Sequence, residues 1–216
     1  MNVEQEQWLT GFWEGDGACY VGSNTVPTVS IEQDSRGMLE YVQSTLGFGH
    51  VYTYSGHSHF RVHKQEDFAK LAALLSRCVV GEQSNSKLNL VFERLGLSVK
   101  AQRHVPTMPW VVGFFDAEGS IDWNNQGIPS LYFSQKSPGV LLDIQSLLGG
   151  SMYPIRQWHH LYPLGDNLRN FLPNILWYSH HEPKRQKLTT MIYVLARDGN
   201  GVWSKWAREV LRVGEQ

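Results

Sequence analysis

The chain has 216 residues, 42% hydrophobic and 18% charged, with 20 glycines and 9 prolines; this excludes a disordered, collagen-like or coiled-coil chain and leaves room for one large or two small domains. Nineteen basic residues against 20 acidic ones give a formal charge of −1, so the balance does not by itself announce a polyanionic partner. Two cysteines, Cys19 and Cys78, are too few for a disulfide framework or a cysteine-rich zinc site. No apolar run approaches the roughly 18 residues of a membrane span, and the polar, acidic start lacks a signal-peptide pattern. The expectation is an intracellular protein with no membrane partner and an unassigned compartment.

In chain order, residues up to Gly17 open as a glycine-bearing helix. Residues 18–22 and 28–33 read as strands; in the second run Val29 and Ile31 alternate with Thr28, Ser30 and Glu32, leaving one apolar and one polar face. Residues 37–46 carry Leu39, Val42 and Leu46 at helical spacing and stop at Gly47. Residues 50–54 and 59–63 follow as strands around Ser55-Gly56-His57-Ser58, then residues 66–76 and 87–97 as helices. In the linker, residues 101–109, Pro106 and Pro109 cannot continue a helix. Thr107 offers an N-cap hydroxyl and Pro109 suits a first turn, so a helix starts near Met108. The series then recurs, with strands near 120–123, 131–135, 153–158 and 160–164 and helices near 139–148, 167–177 and 184–197, plus an extra helix at 203–213.

The two series are one unit written twice, 102 residues apart. Trp8, Gly11, Phe12 and Gly17 recur as Trp110, Gly113, Phe114 and Gly119. Gln33, Ser35, Gly37, Leu39, Gln43, Ser44, Leu46 and Gly47 recur as Gln135, Ser137, Gly139, Leu141, Gln145, Ser146, Leu148 and Gly149. The fold class is therefore α+β: two halves, 1–104 and 105–216, each ordered α-β-β-α-β-β-α and related by a pseudo-twofold axis.

The glycine-bearing helices hold the chemistry. Gly11 and Gly15 in one, and Gly113 and Ala117 in the other, stand four apart on one face, which allows two backbones to approach closely. Interior glycine otherwise costs about 1 kcal/mol against alanine. If these helices lie parallel across the axis, Asp16 and Glu118, each one residue before a terminal glycine, end at the same level. Two like charges at the negative ends of helix dipoles need a cation, and a hard divalent ion supplies one.

The paired segments Leu9-Thr10-Gly11-Phe12-Trp13-Glu14-Gly15-Asp16-Gly17 and Val111-Val112-Gly113-Phe114-Phe115-Asp116-Ala117-Glu118-Gly119 resemble the signature helices of the LAGLIDADG homing endonucleases, in the single-chain form with two motifs. The element order and repeat length extend this resemblance over nearly the whole chain. It implies two four-stranded antiparallel sheets lying along the DNA major groove, joined through two central parallel helices. It also implies a monomer that cuts both strands of a long, asymmetric duplex target across the minor groove, leaving 3′ extensions. Mg²⁺ is the implied cofactor, with Mn²⁺ substituting and Ca²⁺ binding without cleavage. By motif position the metal set is Asp16 and Glu118, with the neighbouring Gly15 and Ala117 counted beside them. Glu14 and Asp116 fall at a motif position associated with helix packing or capping. Gln33 and Gln135 fall where the family commonly places a polar residue of the active-site pocket. A basic residue is expected near the helix after the fourth strand. Lys184 is the candidate in the second copy and Lys87 in the first, an imbalance that implies slower cutting of one strand.

Sequence readout is expected from the polar sheet faces. The candidates are Ser30, Glu32, Tyr52, Tyr54, His59 and Arg61 in the first half, and Tyr132, Ser134, Arg156, Trp158, His160 and Tyr162 in the second. The histidines at 50, 57, 59, 63, 159 and 160 are read as DNA-facing groups in preference to a metal site. Metal on the two acids and protonation of all 9 histidines would offset the −1 charge, so affinity should fall as pH rises from about 6 to 8. The competing expectation is a nucleic-acid-binding protein that does not cut, either an RNA maturase assisting intron splicing or a regulator.

Overall fold

The computed structural model describes residues 1–20, 27–98, 100–125, 129–198 and 201–213. The first series is α1 (Val3–Asp16), β1 (Gly17–Tyr20), β2 (Thr28–Gln33), α2 (Arg36–Leu46), β3 (His50–Tyr54), β4 (His57–Arg61), α3 (Gln65–Leu75) and α4 (Glu82–Arg94). The second is α5 (Met108–Glu118), β5 (Gly119–Trp123), β6 (Pro129–Gln135), α6 (Gly139–Leu148), β7 (Ser151–Ile155), β8 (Trp158–Tyr162), α7 (Gly165–Tyr178), α8 (Glu182–Asp198) and α9 (Gly201–Val213). Each series forms its own four-stranded antiparallel sheet, ordered β1-β2-β4-β3 and β5-β6-β8-β7. Among the described residues the first half carries one helix more than the seven-element order, because α3 and α4 are separate helices, and the second half carries two more, α8 and the terminal α9.

Local chemistry explains most boundaries. Asn2 caps α1 through a capping box: its side chain accepts from the Gln5 N–H at 2.8 Å, and the Gln5 side chain accepts from the Asn2 N–H at 2.9 Å. Thr107 stands at the N-cap of α5 as expected, but its hydroxyl makes no capping bond. The hairpin joining β3 to β4 is tighter than the sequence suggested. Ser55 and Gly56 both take positive φ, 51° and 86°, as a two-residue turn with left-handed centres requires, so β4 begins at His57. In the second hairpin Arg156 has φ 58°, which ends β7 at Ile155 where a strand through residue 158 was expected. The last two residues expected in β1, Val21 and Gly22, lie outside the described residues.

One helix pair joins the halves. A Cβ built at Gly11 would overlap the Trp110 carbonyl oxygen, and one at Gly113 would overlap the Trp8 carbonyl oxygen. These contacts exchange under the offset of 102, so the halves meet through a pseudo-twofold. Farther along, a Cβ at Gly15 would collide with the Ala117 methyl group and lie 3.1 Å from the Glu118 Cγ. Higher numbers on α1 meet higher numbers on α5, so the helices run parallel. Buried Trp8, Leu9, Phe12, Trp110, Val111, Phe114 and Phe115 surround the seam.

Alanine at an interior helix glycine ordinarily stabilises by about 1 kcal/mol. Gly11→Ala or Gly113→Ala should instead destabilise by about 2–3 kcal/mol in urea unfolding, because backbone must move. Gly37→Ala, which meets nothing within 4 Å, should be neutral or slightly stabilising. Equal behaviour of all three would contradict the close helix contact.

Candidate active site and nucleic-acid face

Two acids near the end of each central helix divide the work. Glu14 and Asp116 turn into the protein and act as anchors. Glu14 accepts from the backbone N–H groups of Val80 and Gly81, both at 2.7 Å, and from the Trp110 indole of the other half at 3.2 Å. Asp116 accepts from the Ser179 hydroxyl at 2.5 Å, the His180 N–H at 2.9 Å and the Trp8 indole at 2.9 Å. Each anchor ties the segment before α4 or α8 to its own helix and takes an indole N–H across the seam. This agrees with the packing role implied for the two residues. The crossed tryptophans were not singled out for it, although their recurrence at 8 and 110 marked them as a pair.

Asp16 and Glu118 occupy the last helical positions, half-buried at the same end of the pair. Strand β2 delivers the Gln33 amide, which donates to Asp16 at 2.6 Å and accepts from the Asp34 N–H at 2.9 Å. Strand β6 delivers Gln135, which donates to Glu118 at 3.0 Å. Burial and then the facing Glu118 carboxylate push Asp16 up to about 7, while Lys184 pulls the other way. Burial also raises Glu118, against Lys184 and the Gln135 bond. The pair thus carries negative charge that the protein itself only partly offsets.

Lys184, on the first turn of α8, is the cation acting on both carboxylates. Its ammonium donates to the carbonyl oxygens of Phe115 at 2.7 Å and Asp116 at 2.8 Å, and sits 5.0 Å from the Phe115 ring centroid. Burial pushes it down to about 8, opposed by Asp116, Asp16 and Glu118. Lys87 does not match it. The start of α4 at 82 and of α8 at 182 sets a spacing of 100 here, two residues shorter than in the signature helices, so Lys87 corresponds to Lys187. Lys187 pairs with Asp122 on β5 at 3.4 Å, and Lys87 acts on the Cys19 thiol of β1. The counterpart of Lys184 is Ser84, whose hydroxyl bonds to Glu14.

As a test of fit to a metal, the donor set is partial: among the described residues no group of three or more His, Cys, Asp or Glu side chains is placed to hold an ion. Two converging carboxylates suit a hard divalent cation that takes its other ligands from water, phosphate or carbonyl oxygen. Gly15 and Ala117 have only carbonyl oxygens to offer.

The registers put most predicted readers on one face of each sheet. Ser30 pairs with Arg61, Glu32 with His59, Tyr52 with His59 and Tyr54 with His57, while Val29, Ile31 and Phe60 fill the other, buried face. Likewise Ser134 pairs with His160, and Tyr132, Trp158 and Tyr162 share their side. Arg156 is the exception: it occupies the hairpin turn and not a strand. The faces differ in chemistry. On the first, Tyr52 stacks on His59 at 5.2 Å with Arg61 5.4 Å over its ring. On the second, Tyr132, His160, Tyr162 and Tyr153 form a run of ring contacts 5.1–6.3 Å apart, and Lys136 covers Trp158 at 5.3 Å. Not every histidine supplies charge: burial pushes His180 and His181 down to about 4, so both are neutral from pH 6 to 8. These two add nothing to the expected pH effect.

A carboxyl raised on folding holds its proton longer in the folded state, so it contributes a penalty absent below about pH 4 and complete above about pH 7. Asp16→Asn should therefore stabilise the metal-free protein by at least about 1 kcal/mol at pH 8, with the gain shrinking toward pH 5. Denaturant unfolding across that range checks it; a variant less stable than the parent at pH 8 would contradict the charge repulsion.

Comparison with known proteins agrees with this geometry. Residues 109–175 match the LAGLIDADG-like domain family. The chain is 28% identical over 135 residues to the intron-encoded RNA maturase bI4 of Saccharomyces cerevisiae, a match covering 58% of this chain but 20% of that protein. Among solved structures, the meganuclease I-AabMI bound to uncleaved DNA has a TM-score of 0.67 at 14% identity, covering 100% of this chain and 98% of that one. The homing endonuclease I-GzeII in complex with its DNA target gives 0.63 at 14% identity, covering 97% of each chain. I-SmaMI bound to uncleaved DNA in the presence of calcium ions gives 0.61 at 12% identity, covering 100% and 99%. At these identities the likeness is one of fold. The second half therefore carries a LAGLIDADG-like domain, and the chain as a whole has the two-repeat fold of the single-chain LAGLIDADG homing endonucleases.

Proposed function

We propose that the protein is a monomeric, site-specific endonuclease for double-stranded DNA that depends on divalent metal ions. The observation that carries this reading is the meeting of Asp16 and Glu118 at the end of the central helix pair, each steadied by its own glutamine. Solved proteins of this fold bind DNA, one of them with calcium present, and that supports a hard divalent cation here. Mg²⁺ is the proposed cofactor, and Asp16 and Glu118 would hold it, with the carbonyl oxygens of Gly15 and Ala117 as the backbone candidates beside them. When bound, it would supply activation of water and charge stabilisation at the leaving oxygen.

The chain's own groups do the rest. Gln33 and Gln135 each hold one carboxylate by a hydrogen bond, so the acids are positioned before substrate arrives. Trp8, Trp110, Glu14 and Asp116 lock the two helices, so both scissile phosphates meet a rigid centre. Residues 1–104 and 105–216 would each address one half of the target. Their unlike faces, one with Arg61 and several histidines and one lined with tyrosine, fit an asymmetric sequence. Two phosphates cut across the minor groove would leave 3′ extensions. Asp16→Asn or Glu118→Gln should abolish Mg²⁺-dependent cutting while leaving duplex affinity within about tenfold. A protein that selects a duplex sequence yet never cuts it with Mg²⁺ or Mn²⁺ would sink the proposal.

Affinity should also weaken as pH rises from about 6 to 8, since strands β1–β8 supply Arg61 as their one Lys or Arg among the described residues. Fluorescence anisotropy at constant salt reads this directly; a flat profile would remove the histidine contribution. A second reading, RNA binding in intron splicing, draws on the partial match to a maturase and on the exposed rings of Tyr20, Tyr54 and Tyr153, which suit stacking on unpaired bases.

A further inference from the structure

We propose that the two halves of the site are unequal in kind, so that this protein cuts one DNA strand about 10²-fold faster than the other and releases mainly nicked duplex. The inference rests on the endonuclease reading above and deepens it. The register of the last helices makes the inequality visible. Buried Leu88, Val91 and Phe92 of α4 match buried Leu188, Met191 and Ile192 of α8, which fixes the spacing at 100 and aligns Ser84 with Lys184.

At the second position an ammonium is pinned to the last turn of α5 by two carbonyl oxygens, beside the carboxylates. At the first stands a hydroxyl turned to Glu14. Ser84 borders a cavity of about 170 Å³ together with Glu14, Gly81, Glu82 and Gln135, and no lysine or arginine is among the residues that line it. Nearby cations are committed elsewhere. Arg103 donates to the Val80 carbonyl and pairs with Asp143, both at 2.7 Å, while Lys87 acts on the Cys19 thiol of β1 and, unlike Lys184, is not among the cations acting on Asp16 or Glu118.

A second difference points the same way. Asp34 and Glu32 lie close enough to act on Asp16, and the residues at their places in the other half are Lys136 and Ser134. Lys184 acts on Asp16 as well as on Glu118, so the inequality lies in where the ammonium is fixed, against the last turn of α5, and in the two further acids that act on Asp16. In hydrolysis the water oxygen bonds to phosphorus, the bond from phosphorus to the leaving sugar oxygen breaks, that oxygen takes up a proton, and the water's remaining proton passes to solvent. Negative charge builds on the phosphoryl oxygens and on the leaving oxygen during this step. A fixed ammonium stabilises that charge, and neighbouring carboxylates oppose it. Removing one such donor from a preorganised site costs about 10²–10³ in rate.

The test begins with duplexes selected by binding, in Ca²⁺, from a randomised library; selection for double-strand breaks would discard a nicking enzyme. Each strand of the selected duplex is end-labelled in turn and cut with Mg²⁺, and the same site is placed in a supercoiled plasmid. The expected result is a strand ratio of about 10² and accumulation of nicked circles before linear product. Lys184→Met should slow the fast strand by about 10²-fold and the slow strand by clearly less, since the ammonium also acts on Asp16, so the ratio falls, and Ser84→Lys should raise the slow strand. Misfolding would lower both strands and the affinity together, so the ratio separates a site role from a structural one. Equal rates in the unmodified protein, or a ratio unchanged by Lys184→Met, would overturn this inference and leave the endonuclease reading standing. No cutting of either strand would overturn both.

Discussion

The structure depends on two helix backbones in contact. Trp8 and Trp110 present carbonyl oxygens where Gly113 and Gly11 have no Cβ, and this exchange sets how near the halves come. A side chain at either glycine would push the helices apart, and everything beyond the seam would shift with them. The indole bonds to Asp116 and Glu14 cross at the same place, so the contact is held by buried hydrogen bonds as well as by packing. Such bonds matter because a buried carboxylate without partners is expensive. Each anchor acid has at least three partners, two of them from the segment before α4 or α8. The same residues therefore fix the seam and the position of α4 and α8.

The site stores an electrostatic conflict. Closing the seam carries Asp16 and Glu118 to one level, and neither carboxylate has a full countercharge in the protein. Folding accepts this because the apolar contact around the seam is large and the acids sit at its edge, half-buried, with a glutamine each. A site that is unfavourable when empty would be preorganised for a cation, as the proposed function requires.

Much of this was legible in the sequence. The repeat placed the helices, both acids and both glutamines, because those residues keep one spacing of 102 without insertion. The sheet faces followed from alternation, which the registers of Ser30, Glu32, His59 and Arg61 bear out. What escaped has physical causes. Turns built on non-glycine residues with positive φ, Ser55 and Arg156, carry no composition signal, so strand ends and the place of Arg156 were misjudged. The spacing shortens to 100 by the last helices, so a lysine matched by composition, Lys87, stood one helical turn from its true counterpart position. The neutrality of His180 and His181 comes from tertiary burial, which no local pattern reports.

The central claim is that Asp16 and Glu118 jointly bind divalent metal where the helices end. Crystals of the protein with a selected duplex, grown in Mn²⁺ and measured for anomalous scattering, test it most directly. The account predicts a manganese peak about 2.1 Å from an oxygen of each carboxylate, against the DNA backbone. Manganese bound elsewhere, with the two carboxylates turned apart and free of metal, would contradict it.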